Sequence, residues 1–398
     1  MDVFERRKMI LPDNLYSEAL KHILETHKKA TPEIVMEGFA DYFYQKTVTE
    51  IDKKLIDFAF GSELDQQHLD EFLKDWDIER AGSAKSLLVS YIMKIYPELK
   101  FNEYTLPRLK GLLNFFRFKN LSLIAQYTKI VEVLNKNGIV PMIIKGGAMK
   151  HLRPDFPRVM GDIDILVQSE EEYKLAKKLV TDMGYEIEDN VHSIDLHHPG
   201  SKEGILDIHQ FIEMGSPEGK AIVSKLFERA TKEKVFNTDT YVPCAEDMVF
   251  ISLVNMVKNL RDKTSLDGIL YNLFDLQFFK EKNLDWNLIC KSVIDTHTEP
   301  QICIACKFLD KIKQGFVPNL LNQDKKMEKA IAAYCNKDIF YCLYVVPVKY
   351  VCKGLHFKDA VKSWESLKYY LRVKGQHFFT KRIAKSQILT DLFIKIVH

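Results

Sequence analysis

Three aspartates carry the chemistry this sequence has to offer. Asp162 and Asp164 stand in the run Asp162-Ile163-Asp164-Ile165-Leu166-Val167, and Asp207 in Leu206-Asp207-Ile208-His209. Along a β-strand alternate side chains share a face, so Asp162 and Asp164 project together while Ile163 and Ile165 point the other way. Two carboxylates about 4 Å apart repel by roughly 4 kcal/mol at an effective dielectric near 20. A core-type strand holds such a pair only with a raised pKa, a basic neighbour or a bound cation. If the strand of Asp207 lies alongside, three carboxylates converge. An oxygen-only set at a strand end suits Mg²⁺ (or Mn²⁺), which takes a few carboxylates together with phosphate oxygens and water. Cations held this way can bind a nucleoside triphosphate, acidify an attacking hydroxyl and stabilise an in-line displacement.

The residues just ahead fit phosphate. Lys145-Gly146-Gly147 follows an apolar strand, and backbone without side chains can approach phosphate closely. A short helix expected over Ala148–Leu152 adds amide donors at its start, while Lys145 and Arg158 offer positive charge. Arg158 has an alternative use in an ion pair with Asp155 or Asp162. The order of a P-loop, G-x-x-x-x-G-K-[ST], is missing, and so is a dinucleotide fingerprint.

The elements that must position these residues read as an α+β protein. A small mixed-sheet core over 117–243 is expected between a helical region at 1–116 and a helical domain with a basic tail at 244–398. Asp13 is read as the cap of a first helix, Ser62 with Asp65 as a capping box, and Ser83 as the cap of the next helix. A helix over 121–135 stops at Asn137-Gly138. Strands follow over 139–144 and 162–167. Ser169 and Glu172 form a second capping box, opening a helix that ends at Gly184. A strand over 185–188 then leads to a hairpin of 193–198 and 205–212. From Ala245 apolar residues recur at helical spacing, with a further helix over 266–279.

Bulk properties narrow the class. With 398 residues, 46% hydrophobic and 28% charged, the chain can build a large core without disulfides. Its net charge of +2 carries no overall nucleic-acid signature. From Lys353 onward ten Lys or Arg face three Asp or Glu; this reads as a solvated basic face, with an acidic partner or membrane surface as the alternative. The aromatic residues Trp364, Tyr369, Tyr370, Phe378 and Phe379 in that tail read as helix packing rather than base stacking. The start lacks the long apolar run of a signal peptide, and the stretch 340–352 is too short to span a bilayer, so a cytoplasmic location is expected. Seven cysteines, an odd number, fit reduced thiols. Cys303 and Cys306 read as core thiols in a helix, and His197 and His198 as exposed polar residues at a hairpin.

The order strand, Gly-Gly, D-x-D, helix, third acid resembles the polymerase-β-type nucleotidyltransferase superfamily. More closely, KGGAMKHL, RVMGDIDILV and ILDIHQF resemble the bacterial group known as uncharacterised nucleotidyltransferases, over about 70 residues, with a weaker match reaching Leu284-Asp285-Trp286. The resemblance implies that Gly146 and Gly147 cradle the triphosphate and that Asp162 and Asp164 bind the metals. It implies that Asp207 completes the catalytic metal site, and that Lys145 and Arg158 steady phosphate charge. His209 matches a family histidine of unassigned role, and Asp275 a family aspartate that caps or pairs. In place of a family H-x-x-K-H stands Asn255-Met256-Val257-Lys258-Asn259. Lys258 is kept and would reach the triphosphate, but both histidines are asparagine. Two functions compete: transfer of a nucleoside monophosphate from NTP to an acceptor hydroxyl, and a nucleotidyltransferase-fold binding module with weak or no catalysis.

Overall fold

The strands carrying the acids lie at the centre of a mixed sheet. The computed structural model describes residues 32–313, apart from positions 62, 155–157, 191, 202–203, 213–216, 263–265, 281 and 297. Among the described residues seven strands form one sheet: β1 (Met142–Ile144), β2 (Ile163–Leu166), β3 (Glu186–Asp189), β4 (Ser193–His197), β5 (Gly204–His209), β6 (Thr231–Val235) and β7 (Thr238–Val242), in the order β3-β4-β5-β2-β1-β7-β6. The β2–β5 and β1–β7 pairs are parallel and the others antiparallel. Both β1 and β2 are buried along their whole length, as their apolar composition dictates.

Helices flank this sheet. They are α1 (Pro32–Thr47), α2 (Glu50–Phe60), α3 (Gln66–Asp75), α4 (Ser83–Ile95), α5 (Thr105–Lys136), α6 (Lys145–Leu152), α7 (Glu170–Asp182), α8 (Pro217–Arg229), α9 (Ala245–Asp262), α10 (Asp267–Lys280), α11 (Trp286–Asp295) and α12 (Glu299–Ile312). One contiguous apolar core runs from Ala40 to Ile312. In it α1 packs on α12, α4 on α10, and α9 on α10, α11 and α12. The α+β architecture is as expected.

Several boundaries differ from those read in the sequence. The helix expected over 121–135 begins at Thr105. Phe115, Phe118 and Leu121 stand exposed on it, so its apolar residues are not confined to one stripe and its period is blurred. Asp65 caps α3, accepting the His68 N–H at 2.9 Å; Ser62 lies outside the described residues. Gly82, not Ser83, stands at the cap of α4. Ser169 caps α7 by accepting the Glu172 N–H, while the Glu172 carboxylate accepts the Gln168 N–H, one residue before the cap. The hairpin of β6 and β7 was not anticipated. The Asp13 helix, the apolar stretch 340–352, the aromatic cluster and the basic tail lie outside the described residues. Among those described, no helix is long and apolar enough to cross a membrane.

Candidate active site

The register of the central strands brings two of the three aspartates together. β2 and β5 run parallel with Asp164 opposite Asp207, and neighbouring strands lie about 4.8 Å apart. On the far side of β5, Asp195 of β4 stands opposite Asp207. Three acids thus form one row across the sheet. Asp162 sits half-buried just ahead of β2, and its charge acts on Asp207 and on Lys145. Two residues beyond Asp207, His209 lies on the same strand face. It is only 3% exposed, and its Nε2 is 2.8 Å from Asp164 Oδ1. One ligand atom each from Asp164, Asp207 and His209 comes within 4.8 Å of the other two.

Lys145 reaches this cluster through an unusual backbone. It is the first residue of α6, directly after β1, and its φ is 51°. A side chain in this left-handed region costs about 1 kcal/mol. The turn lets the ammonium fold back over the sheet to donate to Asp164 Oδ1 at 2.6 Å. Burial works against the Lys145 charge, but Asp164, with Asp162 and Asp207 behind it, holds the ammonium well above its ordinary range. Burial also opposes ionisation of Asp164, and Lys145 and His209 outweigh it, holding that carboxyl well below the usual values. Asp207 goes the other way. Burial first, then the charges of Asp162, Asp164 and Asp195, push its carboxyl up to about 9. Asp195 is raised too, chiefly by burial.

Gly146 and Gly147 fall inside the first turn of α6, three residues earlier than the expected helix start, and both are buried. A Cβ on Gly147 would lie 2.8 Å from Ile143 Cδ1 and 3.0 Å from Ile163 Cγ2. Glycine here lets α6 sit directly on β1 and β2. A Cβ on Gly146 would lie 3.3 Å from Arg158 Nε, so this glycine makes room for the guanidinium.

Among the described residues Arg158 pairs with a carboxylate from a distant helix, and Asp155 lies outside those residues. The guanidinium is 9% exposed and forms an ion pair with Asp275 of α10 at 3.1 Å. It also lies over the Tyr271 ring, 5.2 Å from its centroid. Burial drives the Asp275 carboxyl up to about 6 against the opposing pull of Arg158. With Lys145, Asn255 and Asn272, this pair lines a small cleft that adjoins the carboxylate row through Lys145. Asn259 donates to Asn272, which in turn donates to the Ser252 carbonyl oxygen. One of the two asparagines in the family-histidine positions therefore faces the cleft, while the other joins α9 to α10. Lys258 belongs to α9, but its side chain lies outside the described residues.

Two further residues matter that their types alone did not single out. Asn120, buried on α5, donates to the Arg158 carbonyl oxygen at 2.6 Å and accepts the Met160 N–H at 3.1 Å. It fixes the segment that leads into β2. Asp195 could have been found from the alternation Ile194-Asp195-Leu196 once the hairpin register was known. Elsewhere, Cys303 and Cys306 are buried free thiols in α12. His197 is half-buried and His198 exposed. Asp285 caps α11, accepting the Asn287 and Leu288 N–H groups.

A mixed sheet with paired strand carboxylates beside a helix that has two glycines in its first turn and a half-buried lysine is a layout suited to binding a cation and phosphate. A family model described as "Uncharacterised nucleotidyltransferase" matches residues 70–312, more than half of the chain, and the protein belongs to that family. None of the curated proteins matches it.

Proposed function

We propose that the protein transfers a nucleoside monophosphate from an NTP to an acceptor hydroxyl and releases pyrophosphate, on a site of the polymerase-β type. The observation that carries this reading is the meeting of Asp164 and Asp207 across β2 and β5, next to Lys145 and the first turn of α6. The donor set fits a divalent cation. Asp162, Asp164, Asp195 and Asp207 bring four carboxyl groups to one face, and Lys145 is the ammonium bonded among them. Burial first, and then that surplus of negative charge, push the Asp207 carboxyl upward. Asp162, Asp164 and Asp207 would hold Mg²⁺ (or Mn²⁺), which when bound neutralises phosphate charge and acidifies the acceptor hydroxyl.

The chain's own residues have separable tasks. The acceptor oxygen forms a bond to the α-phosphorus as the bond to the bridging oxygen breaks, and pyrophosphate leaves. Asp207, once a bound cation favours its ionised form, would take the hydroxyl proton. Lys145, kept charged by its acidic neighbours, can turn from Asp164 toward phosphate oxygens. The first-turn amides of α6, at Gly146 and Gly147, would offer donors to the same phosphate oxygens. Arg158, already neutralised by Asp275, positions α6 against α10 and forms the polar floor of the cleft. Lys258 remains a candidate for the triphosphate, and the cleft beside Asn255 is where an acceptor would sit.

The test is incubation of the full chain with each α-labelled NTP and Mg²⁺ or Mn²⁺, reading nucleotide binding and pyrophosphate release, with Asp164→Asn as control. Release that depends on Asp164 is expected. Absence of nucleotide binding by the wild type would count against the reading.

A further inference from the structure

We propose that His209 is itself a ligand of the cation, so that Asp164, Asp207 and His209 form a mixed nitrogen–oxygen site that takes a first-row transition ion such as Mn²⁺ in preference to Mg²⁺. This rests on the reading that Asp164 and Asp207 hold a cation, and it changes which ion they hold.

Geometry carries the inference. The spacing Asp207-x-His209 places both side chains on one face of β5, and the parallel register sets Asp207 against Asp164 and His209 against Leu166. Ligand atoms of the three residues lie within 4.8 Å of one another. Adjacent ligands of an octahedral ion bound at about 2.1 Å lie about 3 Å apart, so His209 Nε2 and Asp164 Oδ1, at 2.8 Å, already stand at ligand spacing, and the Asp207 oxygen has to close in by less than about 2 Å. His209 turns Nε2 toward this centre, at 2.8 Å from Asp164 Oδ1. As a counter-charge for Asp164 the imidazole would be redundant. The Lys145 ammonium already donates to the same oxygen at 2.6 Å, and an ion arriving between the carboxylates competes with both contacts. Without the cation Nε2 donates to the Asp164 carboxylate; when an ion displaces that contact and the imidazole carries its proton on Nδ1 instead, Nε2 presents a lone pair to the ion.

The chemistry of selectivity follows. Mg²⁺ holds to oxygen ligands and surrenders water reluctantly. Imidazole nitrogen raises affinity for transition ions over Mg²⁺.

The test is electron spin-echo envelope modulation of the full chain loaded with one equivalent of Mn²⁺, in the wild type, His209→Gln and Asp164→Asn. The wild type should show ¹⁴N modulation from a directly bound imidazole, lost in His209→Gln and retained in His192→Gln, whose native ring stacks 5.4 Å from that of His209. Competition titrations should show Mn²⁺ preferred over Mg²⁺ by at least about tenfold, and His209→Gln should lose that preference. Mn²⁺ bound in an Asp164-dependent way without nitrogen modulation would overturn the proposal and leave the carboxylate site standing, with His209 only orienting Asp164. No Asp164-dependent binding of either ion would overturn both. If His209→Gln fails to fold, the wild-type spectrum with ¹⁵N-histidine decides alone.

Discussion

Replacing Asp207 with asparagine should stabilise the cation-free protein, and increasingly so as pH rises. An aspartate in an unfolded chain titrates near about 3.9, whereas the folded carboxyl is driven up to about 9 by burial and by Asp162, Asp164 and Asp195. Below about pH 4 both states are protonated and the group adds no pH-dependent penalty. Above that, the unfolded chain releases a proton that the folded chain keeps. Stability therefore falls with rising pH until the folded carboxyl also ionises near pH 9. At pH 7 the difference spans about three pH units, or roughly 4 kcal/mol at about 1.4 kcal/mol each. Solvent reaching the half-buried side chain screens part of this, leaving about 2–4 kcal/mol. Asp207→Asn removes the penalty and keeps the shape. Thermal melts in EDTA from pH 5 to 9 should show the variant melting higher than the wild type, by about 2–5 °C at pH 8, with a margin that widens with pH. A divalent cation at about a hundred times its Kd should return roughly 2.7 kcal/mol to the wild type and little to the variant, closing the gap. A variant that melts lower at every pH, or a margin that does not change with pH, would refute the charge surplus read at this row.

Other perturbations probe the supports of the site. Lys145→Met leaves Asp164 with only its His209 contact and should cost about 3 kcal/mol in urea unfolding without metal, with most of the loss restored by Mg²⁺ or Mn²⁺; an equal loss with and without cation would show that the ammonium does not stand in for one. Gly147→Val drives a branched side chain against Ile143 and Ile163, already 2.8 and 3.0 Å from a bare Cβ, and should destabilise by about 2 kcal/mol; an unchanged denaturation midpoint would mean that α6 does not sit on the sheet as described. Asn120→Ala strands the Arg158 carbonyl and the Met160 amide and should cost about 2–3 kcal/mol, lowering nucleotide turnover as the entry to β2 loosens; full stability and turnover would remove Asn120 from the site's support.

Legibility in the sequence followed the physics of each element. β2 and β5 stood out because acids flanked by Ile and Leu have no ordinary place in a strand, and the hairpin before Asp207 was readable from its turn. The β6–β7 hairpin was not. Thr231-Lys232-Glu233-Lys234 is exposed on a sheet edge, where charge guards against strand addition, so no apolar alternation marks it. Its turn uses Phe236 and Asn237 at φ 47° and 70°, where glycine is the usual signal. At the site, the pairing of Asp164 with Asp207 was anticipated from strand type, but partners from distant elements were not. The bonds from Asp275 to Arg158 and from Asn120 to Arg158 and Met160 span more than 35 residues, and no local period encodes them. The glycines were recognised by type, whereas their packing role against Ile143, Ile163 and Arg158 depends on how α6 lands on the sheet. His209 fell on the right strand face, but its turn toward Asp164 is a rotamer that sequence does not state.

A crystal of the protein soaked with a non-hydrolysable NTP analogue and Mn²⁺, with data collected at the manganese edge, bears most directly on whether β2 and β5 build a shared cation site. An anomalous peak between the Asp164 and Asp207 carboxylates, with the triphosphate reaching the first turn of α6, is expected. A triphosphate bound away from that row, or a row that keeps only its Lys145 contact at saturating Mn²⁺ and nucleotide, would contradict it.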